Sequence, residues 1–320
     1  MSATIEPATE RTAELTELVR DLIVRGVEFA VDDGKLRVRA ADGVLTPDTL
    51  QLLRDHKEAV LRVLSSYRFE APLSADQEGL WFIQNSEPDN FAYNVAILLH
   101  IESEDDHAPA LRRALQKLVD RHVLLRTSYA VVDGIPRQVI QAHRAIELVE
   151  IDAAHQSTAE VMDAATAIHH RPFDLAVEGA FRGCLFRRGP RASLLMLCVH
   201  HIAIDGWSVY LLLDELIRLY EADGRPNPLP LIRSSYLQFV TWQRDTLAQR
   251  GEELRRAWLD ELAGARLILE LPTDRARPSA QTFRGATRRG TLAPGLVDRL
   301  RALARDQHTT LSTVMFTTLL

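Results

Sequence analysis

The stretch HHIAIDGWS, His200 to Ser208, constrains this chain more than any other. Before it, LLMLCV from Leu194 to Val199 is an apolar run of strand length, which predicts a fully buried strand. After it, Val209, Leu212, Leu213, Leu216 and Leu219 fall at helical spacing on one face, with Asp214, Glu215 and Arg218 off it. That spacing predicts an amphipathic helix. Two histidines therefore stand where a buried strand ends and a helix begins, and Asp205 and Gly206 close the turn. Neighbouring strand residues point to opposite faces, so His200 and His201 cannot both serve one small ligand. One faces a site and the other is held in packing; the turn through Asp205 and Gly206 favours His201 as the residue presented at a cleft, while spacing alone leaves His200 open.

The pattern HHxxxDG followed by Trp207 and Ser208 resembles the signature of condensation domains of non-ribosomal peptide synthetases, within the chloramphenicol acetyltransferase-like superfamily. Weaker matches follow the family order. Ser74, Gln77, Leu80 and Trp81 resemble a first motif, with Asp76 and Gly79 departing from the usual Ala and Arg. Arg121, His122, Leu125, Arg126 and Thr127 resemble RHxxLRT, Pro172 to Leu175 a PFDL segment, and Tyr236 and Trp242 a YxDYAVW motif in which Gln238 and Phe239 replace Asp and Tyr. The N-terminal block, RGVEFAVDDGKLRVRA and GVLTPDTLQLLRDHKEAVLRVL, is similar to TubC-type docking domains.

The expected fold is α+β. A small helix–hairpin–helix docking domain over residues 1–66, disordered up to about residue 10, precedes the acetyltransferase-like α/β sandwich lobe over 67–234. Residues 235–320 are expected to start a second, truncated lobe, because the sequence stops inside the apolar pattern TTLSTVMFTTLL. In the first block, Leu15, Leu18, Val19 and Leu22 predict a helix ended by Gly26. Asp33-Gly34 predicts a hairpin, and Thr46-Pro47 a helix start with a break near His56-Lys57. Residues 65–72 read as a connector, AYNVAILLHI as a strand, and Asp133-Gly134 as a second hairpin turn. AFRGCLFRR and ASLLMLCV read as paired strands, and residues from about 288 as a strand and then a helix.

Composition excludes more than it specifies. A net charge of −6 over 320 residues gives no electrostatic case for nucleic acid. Cys184 and Cys198 make no disulfide or metal framework and read as a reducing cytoplasmic compartment; Cys198 is expected in the core. No apolar stretch is long enough for a membrane span.

The resemblance implies amide formation between an upstream acyl or peptidyl thioester and a downstream aminoacyl amine. Both substrates ride on phosphopantetheine arms of carrier proteins, with no cofactor bound directly and no metal. His201 is the candidate base or positioning group, and Gly206 lets the substrate pass and offers its N–H. Asp205 is expected in a structural ion pair with Arg121 or Arg126, since an unpaired buried carboxylate is costly. His200, Trp207 and Ser208 support the site, with Ser208 capping the helix. Lys35, Arg37 and Arg39 are expected to meet the acidic C-terminal tail of an upstream synthetase or polyketide synthase subunit, added as a strand. The same block also fits a stabilising cap or a homodimer contact. The competing readings are a coenzyme A-dependent acyltransferase of the same superfamily, a non-catalytic docking scaffold, and a metal site on His200, His201 and Asp205. His169 and His170 are expected to repeat the histidine pair by chance.

Overall fold

The computed structural model describes residues 7–32, 35–103, 106–189, 191–268, 270, 272–279, 281–283 and 285–318. The chain divides into two compact units, Met1–Pro272 and Thr273–Leu320.

The first unit opens with helix α1 (Pro7–Val24), so residues 7–10 are helical rather than disordered. Gly26 takes φ +83 just past its end, where Gly26 and Val27 N–H return to the carbonyls of Ile23 and Leu22. Strands β1 (Glu28–Asp32) and β2 (Lys35–Arg39) pair antiparallel, Glu28 opposite Arg39; the Asp33-Gly34 turn lies outside the described residues. Helices α2 (Pro47–Asp55) and α3 (Lys57–Ser66) follow, broken at His56, with Thr46 Oγ1 accepting from Thr49 N–H at 3.1 Å.

This block does not close a core by itself. Val19, Leu22, Phe29 and Val60 share one cluster with Phe69, Val123, Ile140 and Leu237 from later in the chain. The expected connector contains strand β3 (Arg68–Pro72), which pairs with β6 and builds part of that wall. A block of about 60 residues is marginal alone, and its apolar faces fuse with those of its neighbour.

Three strands form one sheet in the order β3-β6-β5, with β5 (Thr127–Val132) and β6 (Ile135–Gln141) joined at Asp133 and Gly134, both at positive φ. The main sheet runs β4-β9-β8-β7, with β4 (Asn94–Glu102), β7 (Leu148–Asp152), β8 (Phe181–Arg187) and β9 (Ala192–His200). Alternation along β9 sorts its side chains. Leu195, Leu197 and Val199 meet α5 (Ala108–Arg121) and α7 (Gly206–Glu221); Met196 and Cys198 meet α6 (Thr158–His170) and Phe173. Cys184 and Cys198 are buried and unpaired, their thiols pushed up to about 11 by burial, so neither is a ready nucleophile.

Helix α4 (Ala75–Ser86) starts on a capping box of Ser74 and Gln77. Helix α8 (Tyr236–Glu261) is bound to that start through Tyr236 Oη to Ser74 Oγ at 2.9 Å and Ala75 N–H to Gln243 Oε1 at 2.9 Å. It therefore belongs to the first unit, which runs on to Pro272. The second unit holds α9 (Pro294–Asp306) and α10 (Leu311–Thr317). Residues 288–293 form no strand, because among the described residues of that unit no other strand exists to pair with.

Candidate active site

The two adjacent histidines have opposite fates. His200, last residue of β9, lies on the Cys198 face and is 0 % exposed. Its Nδ1 accepts from Ile202 N–H at 3.1 Å, and its Nε2 lies 3.3 Å from Gln84 Oε1, which makes Nε2 the protonated nitrogen. Burial, then the charges of His201 and Arg182, hold its ring down to about 4. His200 is thus a neutral structural histidine with both nitrogens occupied, and it has none to give a metal.

His201 stands one residue beyond the strand, its N–H fixed to the Tyr93 carbonyl at 2.8 Å. Its exposed side chain lines an open cleft of ≈ 730 Å³, shared with Asp76, Gly79, Tyr93, Asp205 and Tyr236. Asp76 and Gly79, the two departures in the first motif, come from α4 and face the same space. Gly79 has nothing within 4 Å of an added Cβ, so the absent side chain leaves room.

Asp205 is the N-cap of α7. Its Oδ1 accepts from Ser208 N–H at 2.7 Å and Ser208 Oγ at 2.6 Å, and those bonds lower its carboxyl below the usual range. The expected ion pair with Arg121 or Arg126 is absent among the described residues, and the cap is Asp205 rather than Ser208. The reason is reach: a carboxylate one residue before a helix finds N–H donors beside it and sits at the positive helix end. Gly206, first residue of α7, has a negative φ and open space at its Cβ position; it is not among the residues lining the His201 cleft. Trp207 is 82 % exposed, and its contribution to the turn is its backbone N–H, which also lowers the Asp205 carboxyl.

The two arginines serve other partners. Arg126 is buried and donates to the Gln141 carbonyl, with burial lowering its pKa to about 10. Arg121 joins a buried network: it pairs with Glu28 of β1, donates to Glu215 of α7 at 3.1 Å and to the Pro230 carbonyl at 2.8 Å. His122 Nε2 meets Glu215 at 2.5 Å. Burial pushes Glu28 up, past what Arg121 and Arg39 offset. Burial also acts on Glu215, but His122 and Arg121 together hold it below its usual range. Glu215 carried no signal in the sequence beyond lying off the apolar face of its helix.

Of the docking residues, Arg37 is exposed on β2, whereas Arg39 is half-buried, 3.3 Å from Glu28 and donating to the Leu229 carbonyl at 2.8 Å. The side chain of Lys35 lies outside the described residues. His169 is bound to the Asn94 carbonyl and His170 stacks on Phe91, away from the cleft.

Residues 67–320 match the condensation-domain family model and residues 15–65 the TubC N-terminal docking domain model. Phosphinothricin tripeptide synthetase PhsC of Streptomyces viridochromogenes is 36 % identical over 255 residues, 77 % of this chain and 23 % of that protein. Tyrocidine synthase 3 of Brevibacillus parabrevis is 32 % identical over 248 residues, 76 % of this chain and 4 % of that protein. The chain thus spans a small part of these relatives. Among solved structures, a starter condensation domain of rhizomide synthetase is 25 % identical with a TM-score of 0.56, covering 62 % of this chain and 49 % of that one. A holo four-domain non-ribosomal peptide synthetase shares the fold at a TM-score of 0.66 and 23 % identity, over 76 % of this chain and 18 % of that one. The chain belongs to the condensation-domain family of non-ribosomal peptide synthetases and carries a TubC-type docking domain at its head.

Proposed function

We propose that this chain condenses a carrier-bound acyl or peptidyl thioester with the amine of a carrier-bound aminoacyl thioester, His201 acting at the amine. The observation that carries this reading is the exposure of His201 in an open cleft while its neighbour is sealed and neutral. The amine attacks the thioester carbonyl, a C–N bond forms, the tetrahedral intermediate expels the thiol, and the amine loses protons on the way to an amide. An α-amine titrates at about 7.7–8.0 and so must give up a proton near neutral pH, a task for which imidazole is the side chain of choice. General-base help contributes roughly 10²–10⁴-fold, and alignment of two tethered reactants about 7–11 kcal/mol. Asp205 holds the turn that sets His201, and Gly206, the first residue of α7, adds no side chain to that turn. Both substrates arrive on phosphopantetheine, the chemistry of which is thioester activation and tethering.

At the other end, β2 has no second neighbour among the described residues, and an incoming acidic tail adds there as a strand. Arg39 is paired with Glu28, and the exposed Arg37 on the same strand meets acidic side chains of that tail. The condensation reading is tested by mixing the full-length protein with one acyl-loaded and one aminoacyl-loaded carrier protein and weighing the products. The amide on the acceptor carrier is expected; unreacted carriers throughout contradict the reading.

A further inference from the structure

A second cavity, of ≈ 210 Å³, lies beside the His201 cleft. Leu124, Ala203, Ile204, Ser208 and Tyr236 line both, so the two spaces share a wall. The far side of the smaller cavity comes from the docking block: Ile23, Gly26 and Val27. We propose that this cavity is a side-chain pocket of the condensation site, walled by the docking domain, and that it takes the aliphatic part of a thioester substrate. The proposal rests on the condensation reading above.

Three observations carry it. First, the lining is mainly aliphatic. Its arginines are held elsewhere, Arg121 by Glu28, Glu215 and the Pro230 carbonyl, and Arg126 by the Gln141 carbonyl. Among the described lining residues, Arg126 Nε is the one buried side-chain polar atom without a hydrogen-bond partner. The ligand class is therefore a largely aliphatic chain. Second, the space suits such a group: at roughly 30 Å³ per water-sized group, it holds about seven non-hydrogen atoms. Third, the docking wall is fixed in place. Arg39 ties Glu28 to the Leu229 carbonyl, Arg121 ties Glu28 to the Pro230 carbonyl, and Ser235 Oγ donates to the Val24 carbonyl. Gly26, at φ +83, brings its backbone against Ile232, whose Cγ2 would lie 3.4 Å from an added Cβ. A wall anchored at residues 24, 28 and 39 is a selective surface rather than a mobile flap.

The donor acyl chain and the acceptor side chain are both aliphatic candidates, and two arms separate them. In the full-length protein, hexanoyl N-acetylcysteamine thioester probes the donor arm and norleucyl N-acetylcysteamine thioester the acceptor arm. Acetyl and alanyl thioesters are the short controls. Each is measured by calorimetric Kd and, in condensation, by kcat/KM. Ser234→Phe fills the cavity from an exposed position on the condensation side, and Ile23→Ala widens it from the docking side. In one arm, Ser234→Phe weakens the long probe about tenfold or more while the short control moves less than about twofold. Ile23→Ala shifts the preferred chain in that arm upward by a carbon or two. Long-to-short ratios unchanged in both arms for both variants overturn the pocket. Binding that follows this pattern without any turnover overturns the condensation reading and leaves the pocket standing.

Discussion

At the scale of single residues, burial separates two chemically identical side chains. His200 is sealed between Gln84 and the Ile202 N–H and titrates near 4, whereas unfolded histidine titrates near 6.5. Between those values the unfolded chain holds the extra proton, so acid favours unfolding. The contribution of His200 to stability is complete above about pH 6.5 and is lost as pH falls through about 4. At about 1.4 kcal/mol per pK unit the loss is on the order of 3 kcal/mol. Urea unfolding of wild type and His200→Gln from pH 7 to pH 4 checks this. The gap between the two narrows by that amount; a gap constant with pH contradicts it. Strand alternation made this division legible, since two neighbours at the end of a buried strand cannot share a face. The role of Asp205 was not legible. A carboxylate in a turn suggests an arginine partner when only residue types are read, and the Ser208 N–H and Oγ beside it appear only when the helix is built.

At the scale of elements, the turn from β9 to α7 is held by that cap. Replacing an N-cap Asp with Ala costs about 1 kcal/mol, whereas Asn, which keeps the acceptor oxygen, costs a few tenths. Asp205→Ala should therefore lower the unfolding free energy by about 1 kcal/mol and Asp205→Asn hardly at all. If Asn proves as costly as Ala, charge rather than capping holds the turn. The strands and helices with a sharp period, β4, β9, α5 and α7, were readable from apolar spacing. The short edge pieces were not. β3 carries Arg68 and Glu70 among five residues, and it is a strand only because β6 offers it a ladder. Residues 288–293 show the converse, a strand-like run with no partner strand among the described residues of its unit.

At the scale of the molecule, the docking block and the condensation fold are joined by burial and by charge. Arg121 lies between Glu28 and Glu215 with almost no exposure, so Arg121→Ala takes one buried partner from each carboxylate and leaves Glu28 to Arg39 and Glu215 to His122. Breaking such a pair from one side costs about 3–5 kcal/mol. Chemical denaturation of the variant should show a loss of that size; a loss below about 1 kcal/mol contradicts a buried network. The sequence pointed to Arg121 but not to its partners, because Glu28 and Glu215 are 187 residues apart and unremarkable in composition. What the whole fold achieves is the exposure of one imidazole at an open cleft whose walls come from α4, the β9–α7 turn and α8. The most direct measurement is the rate of amide formation by the full-length protein carrying His201→Ala, with both carrier proteins loaded. A catalytic His201 predicts a fall of roughly 10²-fold or more with the unfolding midpoint unchanged; turnover within a few-fold of wild type contradicts it.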